Sequence, residues 1–315
     1  MTARGARPRG PVFLLLLGMI VVAGCVPAAE DAPPAPSPPP PAPAPEASVP
    51  PPPAPSPSVA GPADFHFRGT AIQGGALIGQ APGGTRALAL DGEAVALAAD
   101  GAFLVAFDRD APATQRLVAT LSDGRRVERT LAVAAGQWRI EHVNAPWRGS
   151  AASDAEFERR RPDELAQIRA ARAVQTDSDG WRQTFRWPVT GRLSGFFGSQ
   201  RVYQGKPGSY HSGTDVAVPA GTPFHAPADG VVVLAAAAPF TLEGHLLIVD
   251  HGMGLNSAFL HCQRLDVAVG DRVAQGQVLG TVGRTGRATG PHLHWGLMWR
   301  GARLDPGTLA GPMPR

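Results

Sequence analysis

The sequence predicts a mainly β protein with two small β domains joined by a helical connector. Short apolar stretches alternate with Asp-Gly and other Gly-rich turns over residues 63–147, and the same pattern returns over residues 181–315. Asp-Gly favours tight hairpins because both turn residues tolerate positive φ. Apolar residues at helical spacing occur mainly between these two regions, in residues 148–180. We therefore expect an N-terminal β-sandwich, short connecting helices and a C-terminal antiparallel β barrel or sandwich.

Residues 1–24 have the layout of an export signal, with three arginines followed by an apolar run from Val12 to Ala23. This run is shorter than the roughly 20 residues that a membrane-spanning helix needs, so we favour a cleaved signal over a transmembrane anchor. Val22-Ala23-Gly24-Cys25 resembles the bacterial lipobox, which implies that Cys25 is lipidated and becomes the first mature residue. The residue after Cys25 is not aspartate, which favours the outer membrane.

Residues 25–62 consist largely of proline, alanine and serine, a composition that favours extended polyproline II over a packed structure. We interpret this segment as a tether. At about 3 Å per residue it would span on the order of 100 Å.

The charge and the cysteines exclude two further interpretations. Removing the three signal arginines lowers the basic count from 29 to 26, which equals the 26 acidic residues, so no nucleic-acid partner is expected. Cys262 is the only cysteine besides Cys25. A lipidated Cys25 therefore leaves no pair for an intramolecular disulfide, and packing must stabilise the fold.

In the N-terminal region the expected strands include Ala87–Leu90, Phe103–Phe107 and Arg116–Leu121. This region contains isolated histidines but no catalytic constellation. In the connector, Ser153 and Glu156 form a possible capping box, and Leu165 and Ile168 continue at helical spacing. We expect one or two short helices there, broken near Pro162.

The C-terminal region has two clusters of metal-binding side chains. One is His211-Ser212-Gly213-Thr214-Asp215 and the other is His292-Leu293-His294. Catalytic zinc commonly takes three protein ligands from histidine and carboxylate and keeps a fourth position open. His211, Asp215 and one histidine of the second cluster would supply such a set. Residues two apart on a strand share a face, so both histidines of that cluster can enter one cavity.

Five motifs occur in order between Trp187 and Pro306: His211–Asp215 as His-x-Gly-x-Asp, Ala226–Val231, Asp250-His251-Gly252, Phe259-Leu260-His261 and Thr289–Trp295. Together they resemble peptidase family M23, the lysostaphin-like or LytM-type metallopeptidases. The N-terminal β region and the connector are similar to the arrangement in Gram-negative members with an accessory β domain.

The resemblance implies that His211, Asp215 and His294 bind Zn²⁺ and that His261 and His292 are the remaining catalytic pair. It also suggests Arg201 and Tyr203 as substrate-binding candidates in an approach loop. We expect His251 to be structural. Cys262 is expected to be a small buried hydrophobe rather than a nucleophile, because adjacent strand residues face opposite ways.

The implied function is hydrolysis of peptide cross-links in peptidoglycan, with the D-Ala–meso-diaminopimelate bond as the expected target and stem peptides as the partner. The expected location is the periplasm, with a lipid anchor in the outer membrane. Two alternatives remain. One is a non-catalytic peptidoglycan-binding regulator of a cell-wall amidase, and the other is a purely structural lipoprotein.

Overall fold

The computed structural model describes residues 61–145 and 155–314. The predicted export signal, Cys25, nearly all of the predicted tether and Ser153 lie outside these residues. Within them the chain is mainly β, as predicted. None of the helices in the described residues combines the length and apolar character needed to cross a bilayer.

Two antiparallel sheets form the N-terminal region. Their strand orders are β1-β2-β5 and β4-β3-β6-β7, and the buried side chains of Leu88, Phe103 and Leu117 belong to the core. The strands are β1 His66–Gly69, β2 Ala76–Gln80, β3 Thr85–Leu90, β4 Glu93–Val95, β5 Ala102–Ala106, β6 Thr114–Leu121 and β7 Arg126–Ala132.

Two of the three Asp-Gly pairs in the N-terminal region make the hairpins that the sequence predicts. Asp91 and Gly92 both have positive φ between β3 and β4, and Gly124 has positive φ between β6 and β7. Asp100-Gly101 also precedes a strand, but β4 before it and β5 after it belong to different sheets. This turn therefore connects the two layers.

The C-terminal region is built on an eight-stranded sheet with the order β18-β14-β15-β16-β20-β12-β9, in which β21 also pairs with β20. A three-stranded sheet, β13-β19-β17, packs against it through contacts such as Phe224 with Phe259, whose ring centroids are 5.2 Å apart. The large sheet ends at β18 and β9 rather than closing, so the region is a sandwich and not a barrel.

The strands of this region are β9 Arg192–Gly195, β10 Gln200–Tyr203, β11 Lys206–Pro207, β12 Thr214–Ala217, β13 Pro223–His225, β14 Gly230–Ala235, β15 His245–Asp250, β16 Leu255–Cys262, β17 Arg264–Leu265, β18 Arg272–Val273, β19 Val278–Thr281, β20 Leu293–Trp299 and β21 Ala302–Leu304. A 3-10 helix covers Gly180–Arg182, and α2 covers Pro306–Ala310. Along β20, Leu293, Trp295, Leu297 and Trp299 are buried in the core. The residues between them line the opposite face of the sheet.

One strand pair crosses the predicted boundary between the domains. β8, Ile140–Val143, runs parallel to β10. Beside this pair the buried guanidinium of Arg109 donates hydrogen bonds to the Gly198 carbonyl at 3.1 and 3.2 Å, and Trp138 packs edge-on against Phe197. The N-terminal sheets therefore contact the segment that leads to His211.

The connector is one helix, α1, which covers Ala155–Ala173 and continues through Pro162. The predicted break at Pro162 is wrong. A proline removes one backbone hydrogen bond and crowds the preceding turn, which bends a helix but does not always end it. Contacts on both sides of Pro162 hold α1 in place, because Arg160 donates to the Pro239 carbonyl and Ile168 packs in a small apolar cluster.

Candidate metal centre

Two neighbouring strands bring a carboxylate and an imidazole together. Asp215 on β12 and His294 on β20 are direct cross-strand partners. Because the residues of such a pair point to the same face of the sheet, their side chains meet. The distance from His294 Nδ1 to Asp215 Oδ1 is 2.8 Å.

His211 joins this pair from the loop before β12. Its Nε2 lies 3.1 Å from Asp215 Oδ1 and 3.1 Å from His294 Nδ1. Its Nδ1 is 3.2 Å from the carbonyl oxygen of Phe196. Since a carbonyl only accepts, Nδ1 carries a proton, and in the neutral ring Nε2 presents its lone pair to the centre.

The centre is electrostatically coupled. Burial favours the neutral form of Asp215, but hydrogen bonds from His211 and His294 outweigh this effect and hold the pKa of the carboxyl well below its usual range. For His211, burial opposes protonation, yet the interactions with Asp215 prevail and raise its pKa. For His294, burial dominates and lowers the pKa.

Two glycines allow the ligands to approach the backbone. A Cβ atom at Gly195 would lie 2.2 Å from Asp215 Oδ2, and one at Gly213 would lie 2.6 Å from His294 Nε2. Any larger residue at these positions would displace a side chain of the centre. The glycine of the His-x-Gly-x-Asp motif is therefore required by close packing against His294.

The ligand set fits zinc. One atom each from His211, Asp215 and His294 can be chosen so that all three lie within 4.8 Å of one another. Two imidazole nitrogens and one carboxylate oxygen are donors that Zn²⁺ prefers, and three protein ligands leave a coordination position open.

His261 and His292 lie next to this set, with their ring centroids 4.8 Å apart. His261 Nδ1 is 2.9 Å from the Thr285 carbonyl, and His292 Nδ1 is 2.9 Å from the Gly290 carbonyl. Both Nδ1 atoms must therefore donate, which leaves each Nε2 available for chemistry. Burial, together with the nearby histidines, lowers the pKa of His261 to about 4.

A cavity of about 520 Å³ contains all five side chains. One part of its lining comes from β16 and β20, and another from α1. On the α1 side Arg161 forms two hydrogen bonds with Glu243, at 2.7 and 2.9 Å. Sequence reasoning did not find the α1 residues, because only the tertiary fold places this polar helix beside the histidines. The backbone carbonyls that orient the histidine rings also cannot be recognised in the sequence, because every residue has one.

The substrate-binding candidates lie elsewhere. Arg201 is exposed on β10 and forms an ion pair with Glu141 at 2.7 Å. Neither Arg201 nor Tyr203 lines the cavity that contains the histidines. Their assignment stays a prediction that this geometry does not support.

The structure places the two remaining residues in structural positions. His251 is fully buried, with Nδ1 2.7 Å from the Asp229 carbonyl and Nε2 2.8 Å from the Ser257 hydroxyl. Cys262 is also fully buried, and burial raises the pKa of its thiol. Its side chain belongs to the apolar core, whereas that of His261 lines the cavity.

Comparisons with known proteins agree with this geometry. Residues 209–306 match the sequence profile described as Peptidase family M23. Over 133 residues the chain is 38% identical to the peptidoglycan DD-endopeptidase ShyA of Vibrio cholerae, a match that covers 41% of this chain and 30% of that protein. Over 104 residues it is 38% identical to the DD-carboxypeptidase/endopeptidase Mpg of Neisseria meningitidis, which covers 33% and 24% respectively. The matches thus span less than a third of each relative's length.

A solved structure covers more of the chain. A Pseudomonas aeruginosa protein described as an M23 peptidase superposes with a TM-score of 0.58 at 30% sequence identity. The match covers 77% of this chain and 96% of that one.

Proposed function

Because this chain belongs to peptidase family M23, we propose that it is a zinc-dependent endopeptidase that hydrolyses peptide cross-links of peptidoglycan. The observation that carries the proposal is the convergence of His211, Asp215 and His294 in a cavity that also holds two further histidines.

His211, Asp215 and His294 would hold the metal. A bound zinc ion acts as a Lewis acid and lowers the pKa of water. His261 can accept a proton, because its ring is neutral near pH 7 and its Nδ1–H is fixed on the Thr285 carbonyl, which leaves the Nε2 lone pair free. His292 is oriented in the same way by the Gly290 carbonyl. When protonated, its Nε2 can donate a hydrogen bond to the developing oxyanion.

The substrate bond and the location belong to this proposal. The names of the two curated relatives connect them with DD-endopeptidase activity. We infer the D-Ala–meso-diaminopimelate cross-link as the bond and the periplasmic face of the outer membrane as the location. The lipobox-like sequence at Cys25 supports anchoring, and the proline-rich composition of residues 25–62 supports a spacer that would reach the wall.

Digestion of purified sacculi tests the proposal. The full chain with zinc should release soluble muropeptides whose masses show cross-links opened at the D-Ala–diaminopimelate bond, and exhaustive chelation should stop the release. His292→Ala should lose most of the activity. His66→Ala is the matched control, because His66 is exposed on β1, and it should digest sacculi like the wild type. Binding of sacculi without release of muropeptides would favour the non-catalytic regulator instead.

A further inference from the structure

Two arginines from different elements line one part of the cavity. Arg172 lies in the last turn of α1, and Arg303 lies on β21 directly opposite Met298 of β20. Met298 is four residues beyond His294 on the same face of the strand. At about 3.3 Å per residue, these positions are about 13 Å apart along the strand. Arg303 thus enters the cavity at a distance from the metal ligands.

Arg172 has a buried polar atom without a partner. Its Nε makes no hydrogen bond, and in the described part of the chain no carboxylate forms an ion pair with either Arg172 or Arg303. Burial lowers the pKa of Arg172, and the positive charge of Arg303 lowers it further, while the negative charge of Glu243 acts in the opposite direction. A buried N–H donor without a partner is unfavourable, and a ligand that enters the cavity would supply the acceptor that Arg172 Nε lacks.

The acidic groups of the cavity do not pair directly with Arg172. Glu243 is engaged by Arg161 through two hydrogen bonds, and Asp215 belongs to the metal centre. Arg287 adds a further positive charge, with its guanidinium 4.0 Å from the centre of the Phe157 ring. The acidic groups that line the cavity are therefore already engaged, and among the described residues neither the half-buried Arg172 nor the exposed Arg303 forms an ion pair; the Arg303 guanidinium lies 5.6 Å from the centre of the Tyr210 ring.

We propose that Arg172 and Arg303 form a subsite that binds a free carboxylate of the substrate and so selects anionic stem peptides. This inference rests on the proposed function. Guanidinium groups match carboxylates geometrically and can bind them through paired hydrogen bonds. Stem peptides carry free carboxylates on glutamate and diaminopimelate. One of these carboxylates would accept hydrogen bonds from the two guanidinium groups.

The floor of the cavity is compatible with an extended peptide that runs from the proposed metal ligands to the two arginines. Ala258, Gly296 and Met298 line it, and their side chains are small or unbranched. An extended chain spans about 3.4 Å per residue, so a separation of about 13 Å corresponds to roughly four residues, or fewer when the arginine side chains reach inward. The bound carboxylate would therefore lie about two to four residues from the scissile bond.

Equilibrium binding tests the subsite without depending on hydrolysis. The probe is a monomeric disaccharide tetrapeptide, which has no cross-link to cleave, compared with the same compound after amidation of its carboxyl groups. The full-length wild type should bind the anionic form about ten- to a hundredfold more tightly, because hydrogen bonds to charged groups are the strong ones. Arg172→Met and Arg303→Met should each reduce this ratio towards one. Arg169→Met removes the same charge from an exposed position on α1 and should leave the ratio unchanged.

The outcomes separate the two proposals. If the wild type binds both forms equally or neither form, or if the Arg172 and Arg303 variants keep the wild-type ratio, the carboxylate subsite is wrong. Thermal unfolding of each variant shows whether a reduced binding ratio results from an unfolded protein. Because Arg172 and Arg303 lie on different elements, the same local disruption cannot explain both variants. Sacculi that remain intact with the wild-type protein contradict the proposed function, whereas the binding ratio still decides whether the arginines recognise a carboxylate.

Discussion

The five side chains of the candidate centre divide into two groups according to what their ring and carboxylate atoms contact. In His211, Asp215 and His294 the potential ligand atoms point at one another. In His261 and His292 one ring nitrogen is fixed by a backbone carbonyl. We therefore expect substitutions in the two groups to have different consequences for metal content.

His294→Ala should lose zinc and activity together, because a site with three protein ligands cannot spare one donor. His261→Asn should keep zinc and lose turnover by about 10²–10⁴-fold, the usual contribution of a general acid or base. Asparagine is the better replacement at this position because His261 has a φ of 64°, which asparagine tolerates better than alanine. Zinc content and sacculus digestion, measured side by side, check both expectations. A zinc-free or fully active His261→Asn protein would show that its role is misassigned.

His251 connects strand β15 to the core through a fully satisfied network. Ser257 donates to His251 Nε2 and accepts a hydrogen bond from Trp295 Nε1 at 3.2 Å, and His251 Nδ1 donates to the Asp229 carbonyl. This network requires a neutral ring. Burial accordingly lowers the pKa of His251 to about 4.

This network predicts a pH dependence of stability. The pKa of a histidine is about 6.5 in the unfolded chain, so protonation of His251 favours unfolding. The stabilisation is complete above pH 6.5 and is lost as the pH falls towards 4, by about 3 kcal/mol. The free energy of unfolding of the metal-free protein can be measured in urea at pH 7.5 and pH 4.5. The difference between the two pH values should be smaller in His251→Gln than in the wild type by about this amount. An equal pH effect in both proteins would exclude His251 as its source.

At the scale of elements, α1 is held on the sheet by few apolar contacts and by several polar ones. Glu164 is buried and accepts hydrogen bonds from Thr241 N at 2.8 Å and Thr241 Oγ1 at 2.6 Å. Glu164→Ala removes the acceptor of both and should destabilise the docking of α1 by about 1–3 kcal/mol.

Amide hydrogen exchange measures this effect, since it should accelerate in α1 and remain slow in β15 and β16. Asp163→Ala is the control, because Asp163 is exposed on the same helix. Unchanged exchange of α1 in Glu164→Ala would show that the apolar contacts suffice.

The sequence predicted strands better than it predicted the helix and its position. The expected strands Ala87–Leu90 and Arg116–Leu121 are short apolar stretches beside Asp-Gly turns, and they lie within β3 and β6. The break predicted at Pro162 considered only the missing backbone N–H and the crowding by the proline ring. Tertiary contacts on both sides of Pro162 keep α1 continuous. Trp138 and Arg109 pack beside the parallel pair of β8 and β10, and no local sequence pattern predicts this packing.

At the scale of the whole molecule, the N-terminal sheets support the loop that carries His211. Gly198 N donates to the His211 carbonyl, and His211 N donates to the Ser199 carbonyl, both at 2.8 Å. Arg109 in turn donates to Gly198 O. A fragment of residues 181–315 should still bind one zinc ion, but with an affinity lower by on the order of tenfold, the effect of losing outer contacts of a metal site.

Calorimetric zinc titration of the fragment and of the full chain measures this difference. Arg109→Met in the full chain should reproduce part of it. Equal affinities in all three proteins would mean that the fragment holds His211 without help.

The predicted lipidation has its own test. Cys25→Ser should leave the enzyme folded and active but release it from the membrane fraction, because acyl chains attach to the thiol. Membrane fractionation of cells that express the variant checks this expectation. Persistent membrane association would contradict the lipobox interpretation of Val22–Cys25.

Motif spacing and strand period narrow the proposed ligands to His211, Asp215 and one of the two histidines His292 and His294, and the resemblance to family M23 selects His294. His292 and His294 are two apart and enter one cavity, as the period of a strand predicts. Arg172 and Arg303 could not be selected, since α1 and β21 are far apart in the chain and only the tertiary fold places both at the cavity.

The pairing of β12 with β20 also determines when the centre can form during synthesis. Asp215 and His294 are separated by 79 residues, and β12 has β20 as its neighbour on one side. A chain that has emerged only as far as β19 has two of the three proposed metal ligands and an incomplete sheet. The proposed peptidase would therefore stay inert while the chain is being exported, and it would acquire its metal only after nearly the whole C-terminal region has emerged.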